Sequence, residues 1–175
     1  HGRLIELYFD AGDYGNVIRS ARRLIDTHGG DSYALVGYYN LGWAYYERGE
    51  YAEAIDAFET LLRHYPSGYR TDRSLFQIGE SYLAMDQCES AIASYQRLVA
   101  RQRIDELGAE ELLQMKREKL AGLVDETALE LAAKAEIRIG TCYGKLQHFD
   151  EGVAAFRRVI DLFASERVLV EESYL

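Results

Sequence analysis

The stretch from Tyr38 to Pro66, YYNLGWAYYERGEYAEAIDAFETLLRHYP, decides the fold of this chain. Near its start, apolar or small residues stand at spacings of i, i+3, i+4 and i+7, which places them on one face of a helix. They are Tyr38, Leu41, Gly42 and Tyr45. Gly49 then ends that helix, as glycine does in the left-handed conformation. A second helical series runs from Tyr51 to Leu62, and Pro66 stops it because proline cannot continue a helix. The stretch therefore predicts two antiparallel helices joined by a short turn.

The same two-helix pattern recurs at a spacing of 37 residues on both sides of this stretch. Positions that fall in register include Tyr8, Tyr45 and Tyr82, and then Leu24, Leu61 and Leu98. A fourth copy follows after a jump of 61 residues, which maps Gly79 onto Gly140 and Tyr95 onto Phe156. About 24 residues are therefore inserted before the fourth copy.

The pattern predicts helices near 2–11, 14–28, 33–47, 51–65, 70–85, 88–102, 126–146 and 149–164, with a last one from 167. Glycine inside a helix costs about 1 kcal/mol relative to alanine and needs a reason. We expect small residues to face each other within each hairpin: Gly42 with Ala54, Gly79 with Ala91, and Gly140 with Gly152. Such pairs would let the two helices approach closely.

These motifs resemble the tetratricopeptide (TPR) repeat. The motif positions are Tyr38, Leu41, Gly42, Tyr45, Ala54, Phe58 and Pro66, then Leu75, Ile78, Gly79, Tyr82, Ala91 and Tyr95, then Ile139, Gly140, Tyr143, Gly152 and Phe156. The resemblance implies an all-α, TPR-like right-handed superhelix of antiparallel helix hairpins. We expect one array over 1–175, with units at about 1–31, 32–68, 69–103 and 133–166.

The insertion, about 104–132, is charged and favours helix. It either lengthens the hairpin around it or forms a separate short helix, with a stop at Gly122 and an N-cap at Asp125. It serves as a spacer or as a second docking surface. Residues 167–175 start a further helix whose apolar face needs a partner. That partner is either the continuation of a longer array or a second copy of the chain.

Composition limits the classes of partner. The chain has 175 residues, 20 basic and 29 acidic side chains, and a formal charge of −9. A diffuse acidic surface repels phosphate backbones, so we expect no nucleic-acid partner. No stretch is long and apolar enough for a direct membrane span. The two cysteines, Cys88 and Cys142, form no disulfide framework or zinc motif and are expected to be buried thiols.

In TPR proteins the first helix of each unit lines a concave groove, and the resemblance implies the same here. Side chains that project from those helices outside the packing face are the candidate partner-binding residues: Phe9, Tyr39, Asn40, Trp43, Tyr46, Arg73, Phe76 and Glu80. Aromatic side chains dominate binding hot spots, which favours a peptide or helix ligand. For Trp43 and Tyr46 the alternative is packing against the next hairpin or against other parts of a longer parent protein.

Other activities find little support in the sequence. A groove that clamps a terminal carboxylate uses Lys, Asn and Arg, whereas here only Asn40 and Arg73 fit and Glu6 and Glu80 would repel the ligand. No HExxH, GxSxG or phosphate-binding glycine loop occurs. We therefore expect no enzyme activity, no cofactor and no metal site.

The expected function is a protein–protein interaction scaffold that binds a peptide or partner helix. The unit is lengthened around Tyr65-Pro66-Ser67-Gly68-Tyr69. That junction resembles bacterial envelope TPR proteins such as the Tol–Pal coordinator and the lipoprotein of the outer-membrane assembly machinery. The resemblance implies a bacterial multiprotein envelope complex, in the periplasm or at the outer membrane, with the cytoplasm as the alternative. Structural assembly by self-association, through the C-terminal helix or the 104–132 insertion, is the other hypothesis.

Overall fold

In a computed structural model, which describes residues 2–102 and 108–172, every regular element is an α-helix. The helices are α1 (Gly2–Asp10), α2 (Tyr14–Thr27), α3 (Ser32–Glu47), α4 (Tyr51–His64), α5 (Tyr69–Ala84), α6 (Cys88–Gln102), α7 (Ala109–Leu120), α8 (Ala128–Lys145) and α9 (Phe149–Glu172). The first seven predicted helices match α1 to α6 and α8 within two residues at each end. The all-α, TPR-like fold class is confirmed.

The chain divides into two compact units, His1–Gln87 and Cys88–Leu175. The division falls between α5 and α6, the helices of the third predicted hairpin. In the first unit, neighbouring helices pack in sequence: α1 on α2, α2 on α3, α3 on α4 and α4 on α5. Its core centres on Phe58, Ile5 and Val17, whose side chains are wholly buried.

In the second unit, α6 packs on α8 and α8 packs on α9. Helix α6 therefore packs against α8 even though the insertion separates them in the chain. The insertion forms the separate helix α7, the second of the two alternatives, and α7 packs on α9. Its buried side chain is Leu112. Predictions for residues 103–107 and 173–175 lie outside the described residues.

The end of the insertion needs one correction. Gly122 does terminate α7, with a φ of 69° that L-residues rarely adopt. The N-cap of α8 is Thr127, however, and not Asp125. Thr127 accepts a hydrogen bond from the Glu130 N–H, and the Glu130 carboxylate accepts one from the Thr127 N–H. This reciprocal capping box satisfies two backbone donors that Asp125 would leave unpaired.

The C-terminal segment needs a second correction. The predicted break between 164 and 167 is absent, and α9 continues from Phe149 to Glu172 as one helix. Residues 164–167 read Ala-Ser-Glu-Arg, with no glycine or proline that would end a helix. The helix expected to begin at residue 167 is instead a continuation of α9.

The glycines inside the hairpins make room for rings. A Cβ at Gly42 would lie 2.6 Å from Cε1 of Phe58, so the Phe58 ring is the nearest neighbour of this position. A Cβ at Gly140 would lie 2.8 Å from Cζ of Phe156. The predicted proximity of Gly152 to Gly140 is confirmed, because a Cβ at Gly152 would lie 3.2 Å from the Gly140 carbonyl oxygen.

Candidate partner-binding site

The predicted partner-binding residues all lie in the first compact unit, on three helices. Helix α1 carries Phe9, α3 carries Tyr39, Asn40, Trp43 and Tyr46, and α5 carries Arg73, Phe76 and Glu80. Each of these side chains is half-buried. These helices are the first members of successive hairpins, and α3 contacts both α1 and α5. The sequence register therefore places the candidates on helices that adjoin one another.

Three of the aromatic candidates form a continuous row along α3, which we call the aromatic row (Tyr39, Trp43 and Tyr46). The ring centroids of Tyr39 and Trp43 are 6.3 Å apart, and those of Trp43 and Tyr46 are 6.1 Å apart, both in edge-to-face geometry. The 3–4 spacing along one helix produces these contacts. Edge-to-face pairs are a favourable arrangement for rings at these distances.

The aromatic row rests on the core. The buried Phe58 ring lies 6.3 Å from Tyr39 and 6.5 Å from Trp43, again edge-to-face. The indole Nε1 of Trp43 is buried and has no hydrogen-bond partner in the described part of the chain. Trp43 thus packs against the hydrophobic core with one side and keeps the rest of its ring at the surface. The packing alternative therefore holds for the buried side of Trp43, and partner binding by its exposed side stays a prediction.

Two arginines of α5 cover the aromatic row. The guanidinium of Arg73 lies 5.9 Å from the Trp43 ring centroid, and that of Arg70 lies 5.7 Å from the Tyr39 centroid. Such cation–π contacts contribute about 0.5–1 kcal/mol at exposed sites. Arg70 is not among the partner-binding residues predicted from the sequence. Its position one turn before Arg73 on the same helix was the available signal.

Tyr46 ends the row in a polar setting. Burial raises the pKa of the Tyr46 hydroxyl, and the negative charge of Glu80 raises it further, while a hydrogen bond with the Gln77 side chain opposes the change. The Tyr46 ring also lies 5.4 Å from that of Tyr51. The Tyr46 hydroxyl therefore lies beside the Gln77 side chain of α5, where the charge of the Glu80 carboxylate also acts on it.

Two candidates face other neighbours. The Asn40 side-chain amide donates to the Val36 carbonyl oxygen at 2.8 Å, within its own helix. The Phe9 ring makes an edge contact with Tyr14 of α2, with centroids 5.7 Å apart. Phe9 also packs against the core cluster of the unit. The strongest candidates are therefore the aromatic row and the arginines over it.

Groups needed for chemistry do not cluster in the described residues. Within 2–102 and 108–172, no set of three or more His, Cys, Asp or Glu side chains converges on a metal-sized site. Cys88 and Cys142 are both buried and are not joined by a disulfide. A helix apolar and long enough to cross a membrane is absent from these ranges too.

Family comparison agrees with the geometry of paired helices. Two models, each described as "Tetratricopeptide repeat", match residues 36–67 and residues 73–102 and 134–165, which together are more than half of the chain. The chain belongs to the tetratricopeptide repeat family. Proteins of this family generally act as non-enzymatic scaffolds for protein–protein interaction. No curated protein sequence matches the chain significantly.

Solved structures show the same fold. A structure of the Podosopora anserina putative kinesin light chain repeats superposes with a TM-score of 0.52 at 15% identity, over 95% of this chain and 94% of that one. MamA from Desulfovibrio magneticus RS-1 superposes with a TM-score of 0.51 at 17% identity, over 93% of each chain. At these identities the likeness extends to the fold alone.

Proposed function

We propose that this chain is a non-enzymatic scaffold that binds a peptide or partner helix across α1, α3 and α5 of its first compact unit. The observation that carries the proposal is the half-exposed aromatic row with two guanidinium groups stacked over it. Aromatic and arginine side chains are the residue types most enriched in binding hot spots. No other part of the described chain combines them in this way.

The chemistry of this surface defines the ligand. The exposed sides of the Tyr39 and Trp43 rings offer apolar area, which suits aliphatic or aromatic side chains of a peptide. The N–H edges of Arg70 and Arg73 offer donors to carbonyl or carboxylate oxygens. Glu80, beside Tyr46, offers an acceptor at the other end. An amphipathic segment with apolar anchors and oxygen acceptors near the arginines fits these groups.

The proposed setting is a bacterial multiprotein complex of the cell envelope, in the periplasm or at the outer membrane. The support is the lengthened junction after α4. There the Tyr65 hydroxyl donates to the Asp31 carbonyl oxygen at 2.6 Å, and Thr71 Oγ1 donates to the Tyr65 carbonyl oxygen at 2.8 Å. Cell fractionation of the native host tests the setting. Recovery in the soluble cytoplasmic fraction alone would contradict it.

The binding proposal is testable with the single tryptophan of the chain as reporter, because Trp43 lies within the aromatic row. Peptides selected from a random display library on the wild-type protein should change Trp43 fluorescence when they bind. Replacing Arg70 and Arg73 by Gln in one variant removes both stacked cations without opening the core. We expect that variant to lose about tenfold or more in affinity, which corresponds to ~1.4 kcal/mol.

Tyr33→Ala is the matched control, because Tyr33 is an exposed tyrosine of the same helix whose ring contacts His28 and not the aromatic row. This variant should bind the selected peptides with wild-type affinity. Peptides that leave Trp43 fluorescence unchanged, or that bind the double Gln variant as tightly as wild type, would refute the proposed site.

A further inference from the structure

Helix α9 exposes a continuous apolar stripe, which we call the α9 stripe. Its side chains are 44–68% exposed and recur at alternating spacings of four and three, which places them on one helical face. They are Phe149, Val153, Phe156, Ile160 and Phe163. These side chains are exposed even though α7 packs on α9. A row of large apolar side chains of this kind marks an interaction surface.

The internal repeat shows what normally covers this face. In the repeat register, Ile18, Ala21 and Ile25 of α2 correspond to Val153, Phe156 and Ile160 of α9. On α2 this face is covered by α3, the first helix of the next hairpin. A Cβ at Gly37 of α3 would lie 2.7 Å from Cγ1 of Ile25. The α9 stripe is therefore the receiving face of a second-of-hairpin helix, and no first-of-hairpin helix within residues 2–102 and 108–172 covers it.

Helix α1 carries the complementary face uncovered. Its side chains Leu4 and Leu7 are 44% and 62% exposed. In the repeat register they correspond to Leu41 and Ala44 of α3, on the same face as Gly37, which packs on α2. Leu4 and Leu7 thus stand on the face by which a first-of-hairpin helix covers the helix before it.

Helix α8, which covers α6, shows what happens at these two positions when the covered helix is present. They are Ile139 and Cys142, and both side chains are almost wholly buried. The corresponding positions of α5, which covers α4, are Ile78 and Ser81, and both are wholly buried, so α5 and α8 each bury both positions. Helix α1 has the residues for such a contact, and they face outward.

A polar pair strengthens the match. Where α3 covers α2, the Arg22 guanidinium donates to the Tyr45 hydroxyl at 2.5 Å. The equivalent of Arg22 on α9 is Arg157, and the equivalent of Tyr45 on α1 is Tyr8. Both halves of that hydrogen bond are thus present, one on each uncovered face. The matching apolar positions and the polar pair together point to one occupant of the α9 stripe, the uncovered face of α1.

We propose that α1 of a second copy of this chain seats on α9 of the first, in the register in which α3 seats on α2. Val153, Phe156 and Ile160 then contact Leu4 and Leu7 of the second copy, and Arg157 donates to its Tyr8. The contact joins two different surfaces, so every open assembly keeps one free α1 and one free α9, and it either extends further or closes into a ring. It uses none of the residues of the aromatic row and goes beyond the proposed function.

Two variants that each block one face test the proposal. Leu7→Glu blocks α1 and leaves α9 competent, whereas Ile160→Glu blocks α9 and leaves α1 competent. Both side chains are mainly exposed, so both variants should fold, which circular dichroism and thermal unfolding verify. By sedimentation velocity over rising concentration, wild type should exceed the 20.0 kDa monomer mass progressively, and each variant should stay monomeric.

The equimolar mixture of the two variants is the decisive sample. It should form a dimer of twice the monomer mass and no larger species, because one competent α1 and one competent α9 remain. Leu120→Glu, which adds the same charge at an 88% exposed leucine of α7, is the matched control and should associate like wild type. In this mixed dimer, Tyr8→Phe is added to the Ile160→Glu chain, which supplies α1, and Arg157→Ala is added to the Leu7→Glu chain, which supplies α9. The single and combined substitutions then form a double-mutant cycle.

The possible outcomes are separable. Each of the two substitutions should weaken the mixed dimer about fivefold, the usual value of one hydrogen bond, and the second should add little once the first is made. A wild type that stays monomeric to millimolar concentration would overturn the proposal. So would dimerisation of Leu7→Glu alone, which would show a symmetric contact between two α9 stripes. Failure of the peptide-binding test leaves all of these measurements unaffected.

Discussion

The ring of Phe58 occupies the space that a side chain at Gly42 would need: a Cβ there would lie 2.6 Å from Cε1 and 2.7 Å from Cζ of that ring. Phe58 is wholly buried and supports both Tyr39 and Trp43 from below. The missing side chain at position 42 therefore positions the aromatic row indirectly. The same relationship recurs between Gly140 and Phe156 in the second unit.

Gly42→Ala should destabilise the protein. Alanine gains about 1 kcal/mol in helix propensity, but overpacking of a buried ring costs about 1–3 kcal/mol, so we expect a net loss of about 1 kcal/mol. Urea unfolding followed by circular dichroism measures it. Gly144→Ala is the control, because a Cβ at this exposed helical position meets no atom within 4 Å, and it should be neutral or stabilising. Equal effects of the two variants would contradict the steric account.

Gly140→Ala should cost less than Gly42→Ala. The Phe156 ring that a Cβ would meet is 44% exposed, so it can swing outward, whereas the Phe58 ring is enclosed. We expect the gain in helix propensity to offset most of the steric cost and to leave a change within about 0.5 kcal/mol of zero. The same urea series measures it, and a loss larger than that of Gly42→Ala would show that the Phe156 ring is not free to move.

Arg158→Ala should destabilise the second unit. Arg158 Nε donates at 2.8 Å to Glu136, whose side chain is only 3% exposed, and that hydrogen bond raises the pKa of the Arg158 guanidinium. Removing the arginine leaves a buried carboxylate without its cation. Because Arg158 itself is half-exposed, we expect about 2 kcal/mol in urea unfolding. The neighbouring Arg157→Ala, at low protein concentration, should change stability by less than about 0.5 kcal/mol; equal losses would contradict the pairing.

Thr127→Ala should remove the cap of α8. The Glu130 carboxylate accepts hydrogen bonds from Thr127 and pairs with Lys119, and although burial acts to raise the pKa of Glu130, these contacts lower it overall. Loss of a Thr cap costs about 1 kcal/mol. Thr141→Ala, an exposed threonine inside the same helix, should be neutral or slightly stabilising because alanine favours helix. Thermal unfolding of both variants measures the two effects. A lower unfolding temperature for Thr141→Ala alone would refute the capping role of Thr127.

Asp13 should make stability depend on pH in the acid range. Hydrogen bonds from the side chain and then the backbone N–H of Asn16 lower the pKa of Asp13 below its ordinary value of 3.8. A carboxyl group whose pKa is lower in the folded state stabilises the fold when the pH is above its ordinary pKa of 3.8. This stabilisation is lost as the pH falls through the folded-state pKa. Wild type should therefore be more stable than Asp13→Asn at pH 7, and the difference should shrink as the pH falls through the folded-state pKa of Asp13, which lies below 3.8. A difference that does not change with pH in the acid range would contradict this origin.

The sequence predicted much of this structure because the hairpins are local. Apolar spacing, Gly49 and Pro66 determined where α3 and α4 begin and end, through interactions between residues a few positions apart. Prediction was wrong at Asp125 and at residues 164–167. At the first, Thr127 competes for the same role and offers a reciprocal partner in Glu130. At the second, the repeat length suggested a break that no residue in the segment imposes.

The candidate site also has features that the sequence predicted and features that only the structure showed. Repeat register was enough to place Tyr39, Trp43 and Tyr46 along one face of α3, because helical spacing decides which side chains share a face. It did not show that Arg70 lies over Tyr39, since that contact joins two helices 31 positions apart in the chain. It also did not show that the indole Nε1 of Trp43 is buried, because that depends on how the ring sits against Phe58.

By itself, then, the sequence determined the helices, the hairpins α1–α2, α3–α4 and α8–α9, and the family, because periodicity and turn residues act over short distances along the chain. Only the tertiary structure decided which ring fills the space beside Gly42, which arginine covers which aromatic side chain, and which faces of α1 and α9 lack a neighbour. Those features depend on contacts between residues far apart in the chain, and burial at each position is a property of the packed helices and not of the local pattern.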